Sequence, residues 1–148
     1  MLKHKLLHPE ILGALASAGH NSKVLIADGN FPFSTKRGIS AELVFLNLAP
    51  GIVTCTQALE AIVTAIPVEA AAVMKPAKTG QYAMKDDPPI WDEFRKILKD
   101  AGIAVELKQV EVPDFYDLAS SDDVALTIAT GEQRIYANIL ITIGVVMP

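Results

Sequence analysis

Two short runs, Lys23–Ala27 (KVLIA) and residues 124–130 (VALTIAT), are apolar on both faces of an extended chain. Runs of this kind, rich in β-branched residues and too short for helices, are strands that need a covering layer on each side. The chain must therefore build a sheet with something packed on both faces. The remaining periodicity says what covers it. Residues 9–18 (PEILGALASA) begin with a first-turn proline, place Ile11, Leu12 and Leu15 on one side, and stop at Gly19. Residues 54–65 carry Leu59, Ile62 and Val63 at helical spacing, continued by Ile66, with Thr54 or Thr56 as N-cap. Residues 90–101 (IWDEFRKILKDA) form the clearest amphipathic pattern, with Phe94, Ile97 and Leu98 on one side and Gly102 closing it.

Further strands are predicted at 42–46, 68–74, 103–108 and 139–146, with a short helix at 114–120. Asp28-Gly29-Asn30 and Gly131-Glu132 read as turns, and 31–40 as a loop containing Pro32 and Gly38. Strands alternating with helices predict an α/β fold, a mostly parallel sheet with helices packed on it. A length of 148 residues predicts one domain over 1–148. The polar, proline-bearing stretch 75–89 is long for a connection, and is read either as bordering a pocket and tuning access or as a surface excursion.

At 51% hydrophobic residues the chain is not intrinsically disordered. It is also more apolar than its size requires, which points to surface covered by further copies of itself. A net charge of −4, from 13 basic and 17 acidic residues without clustering, argues against nucleic-acid and membrane partners. The lone Cys55 excludes a disulfide framework, a multi-cysteine zinc site and a CxxC redox centre, and reads as a small core residue. The longest apolar run, 139–147, includes Thr142 and Gly144 and falls short of a membrane span. The N-terminus has no signal-peptide pattern, so a cytoplasmic location is expected.

The chain has no GxGxxG, no GxxxxGK[ST] and no GxSxG, and its histidines (His4, His8, His20) show no ligand spacing. Dinucleotide and NTP chemistry and a catalytic metal are not expected on these grounds. His20 follows the glycine that ends the first helix, where it is either a capping cation or a proton donor. Asp28 stands at the carboxyl end of the next strand, the usual edge for ligands in open α/β sheets, though aspartate also simply opens turns. Tyr136 and Asn138, in the polar segment 131–138, suit either a connecting turn or a ligand rich in hydroxyls.

Taken together, several short motifs resemble the D-ribose pyranase / L-fucose mutarotase family. They are Gly19-His20, Ala27-Asp28-Gly29-Asn30-Phe31-Pro32, Thr130-Gly131-Glu132, Tyr136-Ala137-Asn138-Ile139-Leu140 and Gly144-Val145. Length and order of elements agree from end to end. The pattern Asp-x-x-Phe-Pro at 28–32 and the pair Phe115-Tyr116 are similar to the fucose-type branch, whereas Tyr136-Ala137-Asn138 is spelled as in the ribose type. Just before the Phe-Tyr pair the family carries a basic or imidazole sugar contact. Val112 stands there in this chain, with Lys108 and Gln109 upstream as substitutes.

The resemblance implies a ribose pyranase-like fold and a cofactor-free isomerase of carbohydrate metabolism that interconverts anomers or ring forms of an L-fucose-like monosaccharide. It implies His20 as acid/base and Asp28 as a sugar ligand that also orients His20. Tyr136, Asn138 and Tyr116 are implied as further sugar contacts. It also implies a ring-like homo-oligomer, a decamer, whose sites lie where neighbouring subunits meet. A D-ribose pyranase and a non-catalytic monosaccharide-binding or transport-associated protein are the alternative readings.

Overall fold

The structure, a computed structural model, describes residues 1–148. In chain order the elements are α1 (Pro9–Ser17), β1 (Lys23–Ala27), β2 (Glu42–Phe45), α2 (Cys55–Ile62) and β3 (Val68–Met74). There follow α3 (Ile90–Asp100), β4 (Leu107–Val110), α4 (Val112–Ala119), β5 (Val124–Ala129) and β6 (Ile139–Ile143). The strands form one six-stranded sheet in the order β2-β5-β1-β6-β3-β4. Neighbours run parallel except at β6, which lies antiparallel between β1 and β3.

The two doubly apolar runs, β1 and β5, pair in the middle of the sheet, which is why both their faces are buried. Alternate residues of β1 feed two separate cores. Val24 and Ile26 meet α1, α2 and α3 through Ile11, Leu15, Leu59, Trp91 and Phe94, while Leu25 and Ala27 meet Phe31, Phe115 and Ala119 on the α4 side. Full burial of one such side chain contributes ~1.5–3 kcal/mol, so the three-helix face carries most of the stability. A bulge at the start of β5 shifts the register between Lys23 and Val24, which puts Val124 on the α4 side while Leu126 and Ile128 face the three helices. The α4 face is only partly covered, and Ala70 on it is exposed.

Local chemistry sets the helix ends. Thr54 caps α2 through a reciprocal pair: its hydroxyl accepts from the Gln57 N–H (3.2 Å) and the Gln57 side chain accepts from the Thr54 N–H (3.0 Å). Gly102, at φ +74°, ends α3 in the left-handed conformation, and the Ile103 N–H closes onto the Leu98 carbonyl (2.9 Å). This closure occupies part of the predicted strand 103–108. Ile103 and Val105 pack on the three-helix core instead, and pairing with β3 begins only at Leu107. α4 begins at Val112 rather than 114, because Pro113 fits a first helical turn. β6 stops at Ile143 rather than 146, where the Gly144 N–H turns to the Pro67 carbonyl (2.9 Å).

Candidate active site

The antiparallel β6 is what assembles a site. In an otherwise parallel sheet, the loop leading into an antiparallel strand arrives at the edge where the parallel strands end. Ile139 therefore pairs with Ile26, and the loop before it lies against the residue that follows β1, Asp28. Asn138 holds Asp28 at two points: its Oδ1 accepts the Asp28 N–H (2.9 Å) and its Nδ2 donates to Asp28 Oδ2 (3.0 Å). The N–H groups of Asn30 (2.9 Å, to Oδ1) and Ala137 (3.3 Å, to Oδ2) complete the shell. Asp28 and Asn138 are each only 3% exposed. Burial raises the Asp28 carboxyl above its ordinary value; the bonds from Asn30, Ala137 and Asn138 oppose this, and the nearby Glu132 charge adds to it.

Thr130, Gly131 and Glu132 build the shelf beneath Asp28. The Thr130 hydroxyl donates to the Ala27 carbonyl (2.8 Å) and accepts the Glu132 N–H (3.2 Å), and the Glu132 carbonyl accepts the Gly29 N–H (2.8 Å). Gly131 passes so close to another loop that a Cβ would lie 2.4 Å from the carbonyl oxygens of both Ala49 and Ile52. Burial alone would push the Glu132 carboxyl up, but the Arg134 guanidinium and the N–H groups of Arg134 and Cys55 hold it below the ordinary value. Arg134 also reaches Glu93 on α3 (2.6 Å). Cys55 is fully buried against the Thr130 hydroxyl (3.2 Å), and burial pushes its thiol up, away from thiolate. It is the core residue the sequence predicts.

Beside Asp28 and Asn138 opens a cavity of about 570 Å³. Asn30 adds a polar group, while Phe31, Met74, Val112, Tyr116 and Ile135 supply apolar and aromatic walls. Tyr116 stacks in tilted geometry on Phe31 (centroids 5.7 Å apart), and the Lys36 ammonium lies 5.8 Å from its ring centre. Val112 presents an apolar side chain at the position where the resemblance implies a basic or imidazole contact. Within one chain Lys108 and Gln109 line a different surface hollow. Tyr136 lines the cavity at φ +58°, an unusual backbone for a bulky residue, with its carbonyl accepting from the Trp91 indole N–H (3.1 Å). Its phenol bonds to the 75–89 loop, whose Tyr82 also lines the cavity.

His20 is elsewhere. It lies before β1 and Asp28 after it, so the strand's length, roughly 17 Å at ~3.3 Å per residue, separates them. The residue that meets His20 is Glu69 at the start of β3, both of whose carboxylate oxygens lie 3.1 Å from Nε2. Within one chain Asp28 therefore does not orient His20; Glu69 does. The turn is held to the sheet by Asn21 (φ +67°), whose N–H bonds to the Ile143 carbonyl (2.9 Å). The surrounding hollow is polar, with Ser17, Ser22, Glu42 and Asp123 on its walls. Sequence reasoning missed Glu69, Met74, Tyr82 and Ile135. Only Tyr82 had a signal, as the aromatic of a long polar loop.

Fold and geometry together define an α/β protein with an open cavity, of a size a small molecule would fill, at the carboxyl ends of β1 and β3. The chain belongs to the RbsD / FucU transport protein family, whose pattern matches residues 1–146. It is 31% identical to the human (Homo sapiens) fucose mutarotase over 145 residues, covering 95% of this chain and 90% of that protein. It is 30% identical to the D-ribose pyranase of Histophilus somni, covering 98% of this chain and 99% of that one. Its fold matches the crystal structure of the Streptococcus pneumoniae fucose mutarotase in complex with L-fucose with a TM-score of 0.81 at 25% identity, covering 99% and 100% of the two chains.

Proposed function

We propose that this protein is a sugar mutarotase that interconverts the anomers of an L-fucose-like monosaccharide without a cofactor. The observation that carries the reading is the buried Asp28–Asn138 pair at the edge of a 570 Å³ cavity with aromatic walls. Such a cavity is the right size for a small ligand, and Asp28 Oδ1, which receives one bond from the protein, has a lone pair to spare for a sugar hydroxyl. Apolar walls suit the less polar face of a pyranose and a deoxy carbon. D-ribose is the second substrate to test, because a D-ribose pyranase is nearly as similar in sequence.

The chemistry needs little. A proton goes to the ring oxygen as the anomeric hydroxyl gives one up, the bond from the anomeric carbon to the ring oxygen breaks to leave an aldehyde, and rotation and reclosure give the other anomer. General acid–base help of about 10²–10⁴-fold meets that demand. We assign the proton transfers to His20. With Nε2–H directed to Glu69, Nδ1 is left to exchange protons with the sugar, directly or through water.

Since one chain separates His20 from Asp28 by the length of β1, we propose that His20 serves the Asp28 cavity of a neighbouring copy. A contact between the leading end of β1 in one copy and its trailing end in the next is head-to-tail, and such contacts form a ring when the rotation between copies closes. A decameric ring is the assembly we propose. Its support is exposed apolar surface: Phe45, Leu48 and Ile52 lie open at or near the β2 edge. The total surface, 8175 Å², also exceeds the roughly 7,400 Å² of a self-sufficient monomer of this mass. No helix is long and apolar enough to cross a membrane, and a cytoplasmic location is part of this reading.

The test is anomer-exchange NMR with L-fucose and D-ribose, using wild type, His20→Ala, Asp28→Asn, and the two variants refolded together. Exchange in wild type, its loss in each variant, and recovery at about one quarter of the sites in the mixture are expected for a head-to-tail shared site. A monomer with full activity would sink the shared site. No acceleration with either sugar would sink the mutarotase.

A further inference from the structure

The stretch between β3 and α3 is fastened at its ends. The Lys75 N–H bonds to the Val110 carbonyl (2.8 Å), and Asp87 pairs with Arg95 (2.8 Å). Between those anchors, residues 76–86 bond mainly within themselves, as in Met84 N–H to Ala77 carbonyl (3.1 Å). Just two hydrogen bonds tie this segment to the rest of the chain, and both end on the Tyr136 phenol. Its oxygen accepts the Ala77 N–H (3.1 Å) and its hydroxyl donates to the Tyr82 carbonyl (2.9 Å).

A phenol has one proton to donate, and here the loop takes it. Tyr136 is itself rigidly set, with its backbone at φ +58° and its carbonyl held by the buried Trp91. Backbone of that kind persists only where surroundings over-determine it, and such residues cluster at ligand clamps. The Tyr82 ring, two-fifths covered and otherwise open, joins the cavity wall through this link.

We propose that Tyr136 is a positioning residue whose phenol fastens the 76–86 segment over the cavity, so that Tyr82 becomes the sugar-facing group and a determinant of affinity. This rests on the cavity being the sugar site. It replaces the simpler idea that the Tyr136 hydroxyl binds sugar directly. An aromatic face brought by a loop suits the C–H face of a pyranose, and the loop's attachment decides whether that face is in place when the ligand arrives.

The experiment compares wild type, Tyr136→Phe, Tyr82→Ala and the double variant in two assays. One is limited trypsin digestion at Lys78 and Lys85, which are exposed and flank Tyr82. The other is L-fucose and D-ribose affinity by titration NMR. In Tyr136→Phe, cleavage at Lys78 and Lys85 is expected to accelerate roughly tenfold, since two hydrogen bonds are lost while the ring keeps its packing. Sugar affinity falls several-fold in each single variant and no further in the double, because both act through one element. Three results would overturn the proposal: weaker sugar binding with unchanged cleavage, additive losses in the double variant, or faster cleavage with unchanged affinity. A wild type that binds neither sugar overturns the reading of the cavity and the sugar half of this proposal. The cleavage assay, needing no ligand, still decides whether Tyr136 holds the loop.

Discussion

Asn138 accepts the backbone N–H of Asp28 with one end of its carboxamide and donates to the Asp28 carboxylate with the other, across 110 residues of sequence. The amide is matched to its partner, for at neutral pH no other side chain of that size offers an acceptor and a donor so placed. Asn138→Asp converts the donor into a second carboxylate facing the first. The wild-type Asp28 carboxyl is already raised by burial, so whatever stability its protonated form contributes is present at low pH and lost as pH rises through the folded value. The variant is expected to exaggerate this, losing about 1–3 kcal/mol at pH 8 and much less at pH 4. Urea unfolding at the two pH values checks it, and a loss equal at both would refute the charge argument.

Glu132 titrates with the opposite sign. Its carboxyl is held below the ordinary glutamate value, so its share of stability is present at neutral pH and lost as pH falls through the folded value. Glu132→Gln removes that share, about 1 kcal/mol at pH 7 given that Arg134 is partly exposed to solvent, and close to nothing at pH 3. Thermal melts of both proteins across that range should converge on acidification.

Gly131→Ala tests the shelf under Asp28. Its methyl would sit 2.4 Å from two backbone carbonyl oxygens, and neither can turn aside as a flexible side chain could. A loss of about 2–3 kcal/mol is expected from overpacking, together with weaker sugar binding as the Gly29–Glu132 contact shifts. Gly13→Ala, which meets nothing within 4 Å, serves as the matched control and should lose no stability.

Glu69→Ala should reduce turnover modestly. The His20–Glu69 pair is exposed on both sides, and such pairs contribute ~0.2–1 kcal/mol of orientation, a drop of no more than about fivefold. The imidazole ¹⁵N spectrum should show the His20 tautomer preference weakened in the same variant. A hundredfold loss with unchanged His20 signals would instead place Glu69 on the sugar.

Much of the scaffold was legible in short stretches of sequence. β1, β3 and the start of α3 fall where pattern and breakers put them, because a run such as KVLIA has one stable use and a glycine such as Gly102 takes the left-handed helix-ending conformation without strain. The pattern predicts a strand at 103–108 while β4 occupies Leu107–Val110, because apolar Ile103 and Val105 satisfy a strand pattern and a helix-core contact equally well. Asp28, Asn138, Tyr116 and Tyr136 line one cavity, whereas His20, which the resemblance groups with them, lies at the opposite end of β1.

What the sequence by itself determined is therefore the set of elements and the polar residues too costly to bury without purpose, since periodicity, caps and turn chemistry act within a few residues. The tertiary structure decided how those residues are used. The direction of β6 brought Asn138 to Asp28, β3 brought Glu69 to His20, and the phenol of Tyr136 went to the 75–89 loop. These pairings span 49 to 110 residues, and they depend on strand order and sense, which local pattern does not encode.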